Sequence, residues 1–347
     1  MRRALVLGCV LGAGCASSTV PDVALEGLAL TGVAPDTVVP GSTLVIEGDS
    51  FVEAAWGEST LVLTGQAGGA DVALRLPAAF VDYDHLTAAI DDLVLVDLRA
   101  DTGPATFTGD AVVEVVSAVD GKTYRSDPLA ITLDAAPALT PTIGSLEQSG
   151  VIFVNDQLEV TGDGFLLGGG EGQTVAIVRG CFTPQGMATC APVAEQAVAL
   201  TPAGPFTRDR GTFRFVPAIA GIRGGTFTGT VTIEDRPTAG PPRAAGAVDV
   251  SYDLVTAQVF QIEPAAASLG QYVEISGGGF VGGEAGATTE VRLQGTFTPT
   301  GAPGGRAVDL VLIPEFVAGE RVRYVINTDD ALGMAIDLRT VTGSFQG

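Results

Sequence analysis

Three stretches of the chain alternate apolar and polar side chains in the same way. Leu44 and Ile46 alternate with Val45 and Glu47, Leu158 and Val160 with Glu159 and Thr161, and Val273 and Ile275 with Glu274 and Ser276. A period of two predicts strands with one buried face. Each run meets a glycine, Gly48, Gly162 or Gly277, and then a phenylalanine, Phe51, Phe165 or Phe280. The glycine is expected to supply positive φ for a sharp turn. The phenylalanine is expected to fold back into the core as a marker of each repeat. The three markers lie 114 and 115 residues apart.

A second marker follows at matched spacing: Ala105-Thr106-Phe107-Thr108-Gly109, Gly225-Thr226-Phe227-Thr228-Gly229 and Gly343-Ser344-Phe345-Gln346-Gly347. A third links two copies, as Cys181-Phe182-Thr183-Pro184 and Thr296-Phe297-Thr298-Pro299. Between the markers run short apolar stretches, among them Leu61 to Leu63, Leu93 to Val96, Val112 to Val116, Val175 to Val178 and Val308 to Leu312. Turns rich in Gly, Pro, Asp and Thr separate them. All read as strands, and no long stretch has helical periodicity. The expected fold class is all-β, tandem immunoglobulin-like β-sandwiches in three copies.

The alternating strand followed by Gly-x-Gly/Ser-Phe, with Pro upstream in Ala34-Pro35 and Glu263-Pro264, resembles the IPT/TIG immunoglobulin-like domain of plexins, transcription factors and many bacterial surface proteins. The likeness covers the first third of each copy. Copy two departs from it with Asn155-Asp156 before its strand, and copy one with Ser50 in place of the second glycine. The expected domains are 28–139, 140–257 and 258–347. After its second marker copy three has no counterpart of the two strands expected at 111–117 and 129–133 in copy one. It is therefore expected to be truncated, the chain running on past residue 347, or else to be completed by a strand from a partner. The resemblance implies adhesion, protein interaction or glycan contact.

The N-terminus has another character. Arg2-Arg3 precedes an apolar run from Ala4 to Leu11, and the small residues Gly12, Ala13 and Gly14 lead to Cys15. Such a run is too short to span a bilayer, which needs roughly 20 apolar residues. It has the parts of a secretory signal, and it resembles a bacterial lipoprotein signal. That resemblance implies a leader at 1–15, lipidation of Cys15 and a tether at 16–27. Cleavage after Ala16 or Ser18 would instead give a secreted, unlipidated protein. The expected location is the bacterial cell envelope, as an outer-membrane lipoprotein facing the periplasm or the cell surface.

Composition narrows the function. The chain of 347 residues has 18 Lys and Arg against 40 Asp and Glu, a net charge of -22, and only one His. Loss of Arg2 and Arg3 would take the charge to -24. Such a surface repels phosphate, which argues against nucleic acid and anionic lipid as partners. Of the four cysteines, Cys181 and Cys190 flank a Pro- and Gly-containing turn and are expected to form a disulfide in an exported chain.

Candidate chemistry is sparse. Gly277-x-Gly279-x-x-Gly282 matches the dinucleotide fingerprint, but no helix is expected after it to hold a pyrophosphate. His85 lacks a nucleophile motif such as G-x-S-x-G and reads as a surface or satisfied polar group. Asp82/Asp84, Asp91/Asp92 and Asp329/Asp330 offer oxygen ligands for calcium, without EF-hand spacing. Trp56, the only tryptophan, is either buried against the end of its sandwich or exposed to stack on sugar or protein. The sequence thus predicts no catalytic residue, no metal site and no cofactor. It predicts a non-enzymatic envelope lipoprotein that binds, adheres or acts as a spacer, with an unknown protein or glycan ligand and a membrane contact through its lipid. The alternative is an accessory stalk of a larger exported enzyme, for example a carbohydrate-active one, with its catalytic domain beyond residue 347.

Overall fold

The computed structural model describes residues 27–347 apart from 222, 283–287, 303, 329–330 and 338. The leader at 1–15 with Cys15, the tether up to residue 26, Asp329 and Asp330 lie outside the described residues.

The chain folds into tandem immunoglobulin-like β-sandwiches. In the first, strands Ala29–Ala34, Thr43–Asp49 and His85–Ala89 form one layer, and Gly57–Ala67, Ala105–Ser117 and Leu129–Ala135 form the other. Ala70–Asp82 runs through both layers, pairing first with Gly57–Ala67 and then with His85–Ala89. In the second sandwich, Thr142–Leu146, Gln157–Asp163 and Arg210–Arg214 face Ser149–Phe153, Val248–Val255, Gly225–Pro237, Gly172–Pro184 and Ala191–Ala199. The third sets Gln258–Glu263, Tyr272–Gly278, Arg321–Val325 and Glu315–Ala318 against Arg306–Leu312, Val291–Pro299 and Gly343–Gln346.

The repeat is exact enough to share irregularities. The first strand of each copy carries a bulge at the same place, between Leu30 and Gly32, Ile143 and Ser145, and Val259 and Gln261. Ala34-Pro35 and Glu263-Pro264 are both cis, at matching positions. Phe51, Phe165 and Phe280 are all buried.

The structure corrects the reason for the glycines. Positive φ falls at Ser50, Gly164 and Gly279, two residues after the expected position. Gly48, Gly162 and Gly277 are glycines for want of space. A Cβ there would lie 2.1, 1.9 and 2.0 Å from the carbonyl oxygen of Ala29, Thr142 and Gln258, and against the ring of the following Phe. The aromatic ring folds back onto its own strand, and only a bare Cα admits it. The second marker works alike: Gly65 faces Gly109 and Gly180 faces Gly229, with the rings of Phe107 and Phe227 over the paired glycines.

Two further expectations change. Leu93 to Val96, an apolar run read as a strand, belongs to the helix Asp92–Asp97. The Asp91 carboxylate accepts from the Val94 amide at 2.9 Å and caps it, so a local cap overrides the strand preference of the apolar run. The second marker and the apolar run behind it are also one strand, Ala105–Ser117 in copy one and Gly225–Pro237 in copy two.

Candidate functional surfaces

The first and second sandwiches meet through buried polar groups. Glu171 stands just before strand Gly172–Pro184, and Arg208 in the turn before Arg210–Arg214. Both are nearly inaccessible, at 3% and 8% exposure. The Arg208 guanidinium donates to both Glu171 carboxylate oxygens, at 2.7 and 2.8 Å, and to the Phe165 carbonyl at 3.1 Å. It also reaches out of its own sandwich to the Thr37 carbonyl at 3.0 Å. From the first sandwich the Ser42 hydroxyl donates to Glu171 at 2.6 Å. Backbone meets backbone beside this pair, since a Cβ on Gly41 would lie 2.1 Å from the Gly170 carbonyl oxygen. Burial pushes the Glu171 carboxyl up, but the hydrogen bonds from Arg208, Leu167 and Ser42 outweigh it and hold the carboxyl below its ordinary range.

Asp235 lies behind the pair, fully buried. It accepts from the Thr174 hydroxyl at 2.6 Å through one oxygen, while the other has no partner. Burial pushes its pKa up to about 6, against the Thr174 bond that lowers it.

The second and third sandwiches meet with different chemistry. Gly278 and Gly279 lie flat against the Phe153 ring, a Cβ on Gly278 falling 2.9 Å from it. Phe153 packs edge-on against Phe260, ring centroids 6.4 Å apart. The Asn155 amide donates to the Phe280 carbonyl at 3.2 Å. Asn155, a departure from the repeat in sequence, thus acts across the joint, as Gly41 does in the first copy. The glycines of the dinucleotide-like motif, Gly277 to Gly279, serve the fold-back of Phe280 and this joint.

The sequence-predicted site residues scatter. Cys181 and Cys190 are joined as a disulfide, Cα atoms 5.7 Å apart, closing a hairpin in the second sandwich. Trp56 is 60% exposed, which excludes the buried reading of its ring. His85 pairs with Asp82 at 2.7 Å, and that hydrogen bond holds His85 above and Asp82 below their ordinary ranges. Asp82 also accepts from the Asp84 amide at 2.9 Å. No group of three or more His, Cys, Asp or Glu able to hold a metal occurs among the described residues. No helix among them is long and apolar enough to cross a membrane. Sequence reasoning missed Ser42, Phe153, Glu171 and Arg208, because their partners lie in other strands or in the neighbouring sandwich.

The fold and its joints define a class, tandem immunoglobulin-like modules. No protein-family model and no curated protein matches the chain. Solved structures similar to it include the plexin A4 full extracellular region, at 10% identity over 86% of this chain and 40% of that one, TM-score 0.22. The chicken CNTN1 FN1–FN3 domains match at 9% identity over 86% of this chain and 89% of that one, TM-score 0.20. The Clostridium thermocellum CbhA fibronectin(III)-like modules match at 14% over 66% of this chain and 94% of that one, TM-score 0.21. The chain thus spans well under half of the plexin chain. Likenesses this distant carry nothing about function.

Proposed function

We propose that the chain is a non-enzymatic binding and spacer module of the bacterial cell envelope, lipidated at Cys15, with domains at 28–139, 140–257 and 258–347. The observation that carries the spacer reading is the joint of Glu171, Arg208 and Ser42. A joint in which the buried ion pair of one sandwich makes directional hydrogen bonds to Thr37 and Ser42 of its neighbour fixes the angle between them, where two sandwiches on a bare linker would swing. The N-terminal arginines, the apolar run and Gly14-Cys15 support the anchor. The tether at 16–27 would set the first sandwich a short distance from the membrane. The acidic surface makes neutral or cationic partners the favoured ligands.

Cells producing the full chain and fed an alkyne-bearing palmitate test the anchor. The expected result is label on the chain that disappears in Cys15→Ala. A chain that carries no label and is released to the medium overturns the lipid anchor.

A further inference from the structure

The repeat gives the counterparts, in the first sandwich, of the two residues that hold the joint in the second. Gly57 and Gly172 open equivalent strands, each eight residues before the paired glycines Gly65 and Gly180. Trp56 therefore occupies the place of Glu171. The Phe51 amide donates to the Tyr83 carbonyl at 3.0 Å, and the Phe165 amide to the Arg208 carbonyl at 2.9 Å. Tyr83 therefore occupies the place of Arg208. The two positions that close a joint in the second sandwich are both aromatic in the first, and both are exposed, Trp56 at 60% and Tyr83 at 65%.

Each ring is presented by a hydrogen-bonded turn. Tyr83 sits at the tip of the hairpin between Ala70–Asp82 and His85–Ala89, whose turn is tied by Asp82 to the Asp84 amide and to His85. Its ring packs edge-on against Phe80, centroids 5.6 Å apart. The Trp56 amide donates to the Glu53 carbonyl at 2.8 Å, and its carbonyl accepts from the Ala118 amide at 2.9 Å. Beside them opens a shallow cleft of about 580 Å³ lined by Val52, Ala54, Ser59, Pro77, Ala78 and Phe80. Glu58 and Thr60 also line it, and the Ser59 hydroxyl is buried without a partner.

We propose that this face binds a neutral glycan, the C–H faces of its sugar rings stacking on Trp56 and Tyr83. Exposed aromatic rings offer flat apolar area at little cost in side-chain entropy. Glu58 lines the cleft, Glu53, Asp82 and Asp84 stand in the turns that carry the two rings, and the nearby cations His85 and Lys122 are paired with Asp82 and Asp120. Carboxylates accept hydrogen bonds from sugar hydroxyls, and together they repel phosphate, sulfate and acidic sugars. The proposal rests on the reading of the chain as a binding module and names the ligand class of that module.

Trp56 is the only tryptophan, so its emission reports on the face directly. The full chain is titrated with soluble oligomers of glucose, xylose and N-acetylglucosamine, and with polygalacturonate as an acidic polymer. The expected result is saturable quenching by at least one neutral oligomer at up to about 10 mM and none by polygalacturonate. Tyr83→Ala is expected to weaken that response about tenfold, while Tyr83→Phe, which keeps the ring, stays near the unmodified chain. Emission unmoved by every neutral oligomer, or moved as strongly by polygalacturonate, overturns the proposal. Should Tyr83→Ala unfold the sandwich, the titration of the unmodified chain still decides. Palmitate labelling reads the anchor separately, so either reading can fail alone.

Discussion

The two joints, one at Gly41 and the other at its counterpart Asn155, use opposite chemistry. Between the first and second sandwiches a buried carboxylate and guanidinium reach across, helped by Ser42 and by the bare backbone of Gly41 and Gly170. Between the second and third, the Phe153 ring lies on two glycines, and a hydrogen bond from the Asn155 amide to the Phe280 carbonyl completes the contact. The first joint is directional, and desolvated charge makes its geometry all or none. The second rests on a half-buried ring, whose contacts fade gradually as the sandwiches tilt. One fold can thus set the stiffness of each connection independently, without altering its sheets.

The largest break in this comparison comes from Arg208→Met. It leaves Glu171 buried and unpaired, and urea unfolding of the second sandwich is expected to show a loss of about 3–5 kcal/mol. Adding Glu171→Met should restore most of that loss while the joint stays open. A double variant as unstable as the single one would mean that the pair is not what the sandwich depends on.

Phe153→Ala is expected to cost about 2 kcal/mol, less than the 3–5 of a fully buried ring. It should widen the spread of angles between the second and third sandwiches and leave the first joint unchanged. A change at the first joint in small-angle scattering of this variant would contradict the independence of the two.

A smaller effect separates the joints by pH. Asp235, raised to about 6, binds its proton more tightly in the folded chain than in the unfolded one. Its contribution is therefore fully favourable below the ordinary carboxylate value and is lost as pH rises through about 6. Going from pH 7 to about pH 5 should stabilise the second sandwich by about 1 kcal/mol. Glu171, held low, has the opposite sign: its contribution is present above its ordinary value of 4.5 and is lost as pH falls through its depressed folded value. The second sandwich should therefore be most stable between those ranges. Asp235→Asn should abolish the rise on going to about pH 5, and a rise that persists in this variant would place it elsewhere.

Much of the fold is legible in the sequence because it is local. Alternation at 44–46, 158–160 and 273–275 gives strands, and the spacing of Phe51, Phe165 and Phe280 gives the repeat. The proximity of Cys181 and Cys190 gives the staple. What fails is what depends on a neighbour in space. Leu93 to Val96 yields to the Asp91 cap, and the true task of Gly48 appears only with the Phe51 ring in place. Glu171 and Arg208 are 37 residues apart and have no pattern of their own. Trp56 is visible as a lone aromatic, but its equivalence to Glu171 requires the strand register. Tyr83 gains its meaning only from that pairing.

The central claim is that the first joint holds its two sandwiches at one angle. Spin labels on exposed positions Asp110 and Ala194, introduced through an unnatural ketone side chain so that the native disulfide stays intact, read it by pulsed dipolar spectroscopy. The account predicts one narrow distance distribution in the full chain, unchanged by moderate salt, that broadens in Arg208→Met. A distribution already broad in the unmodified chain would contradict it.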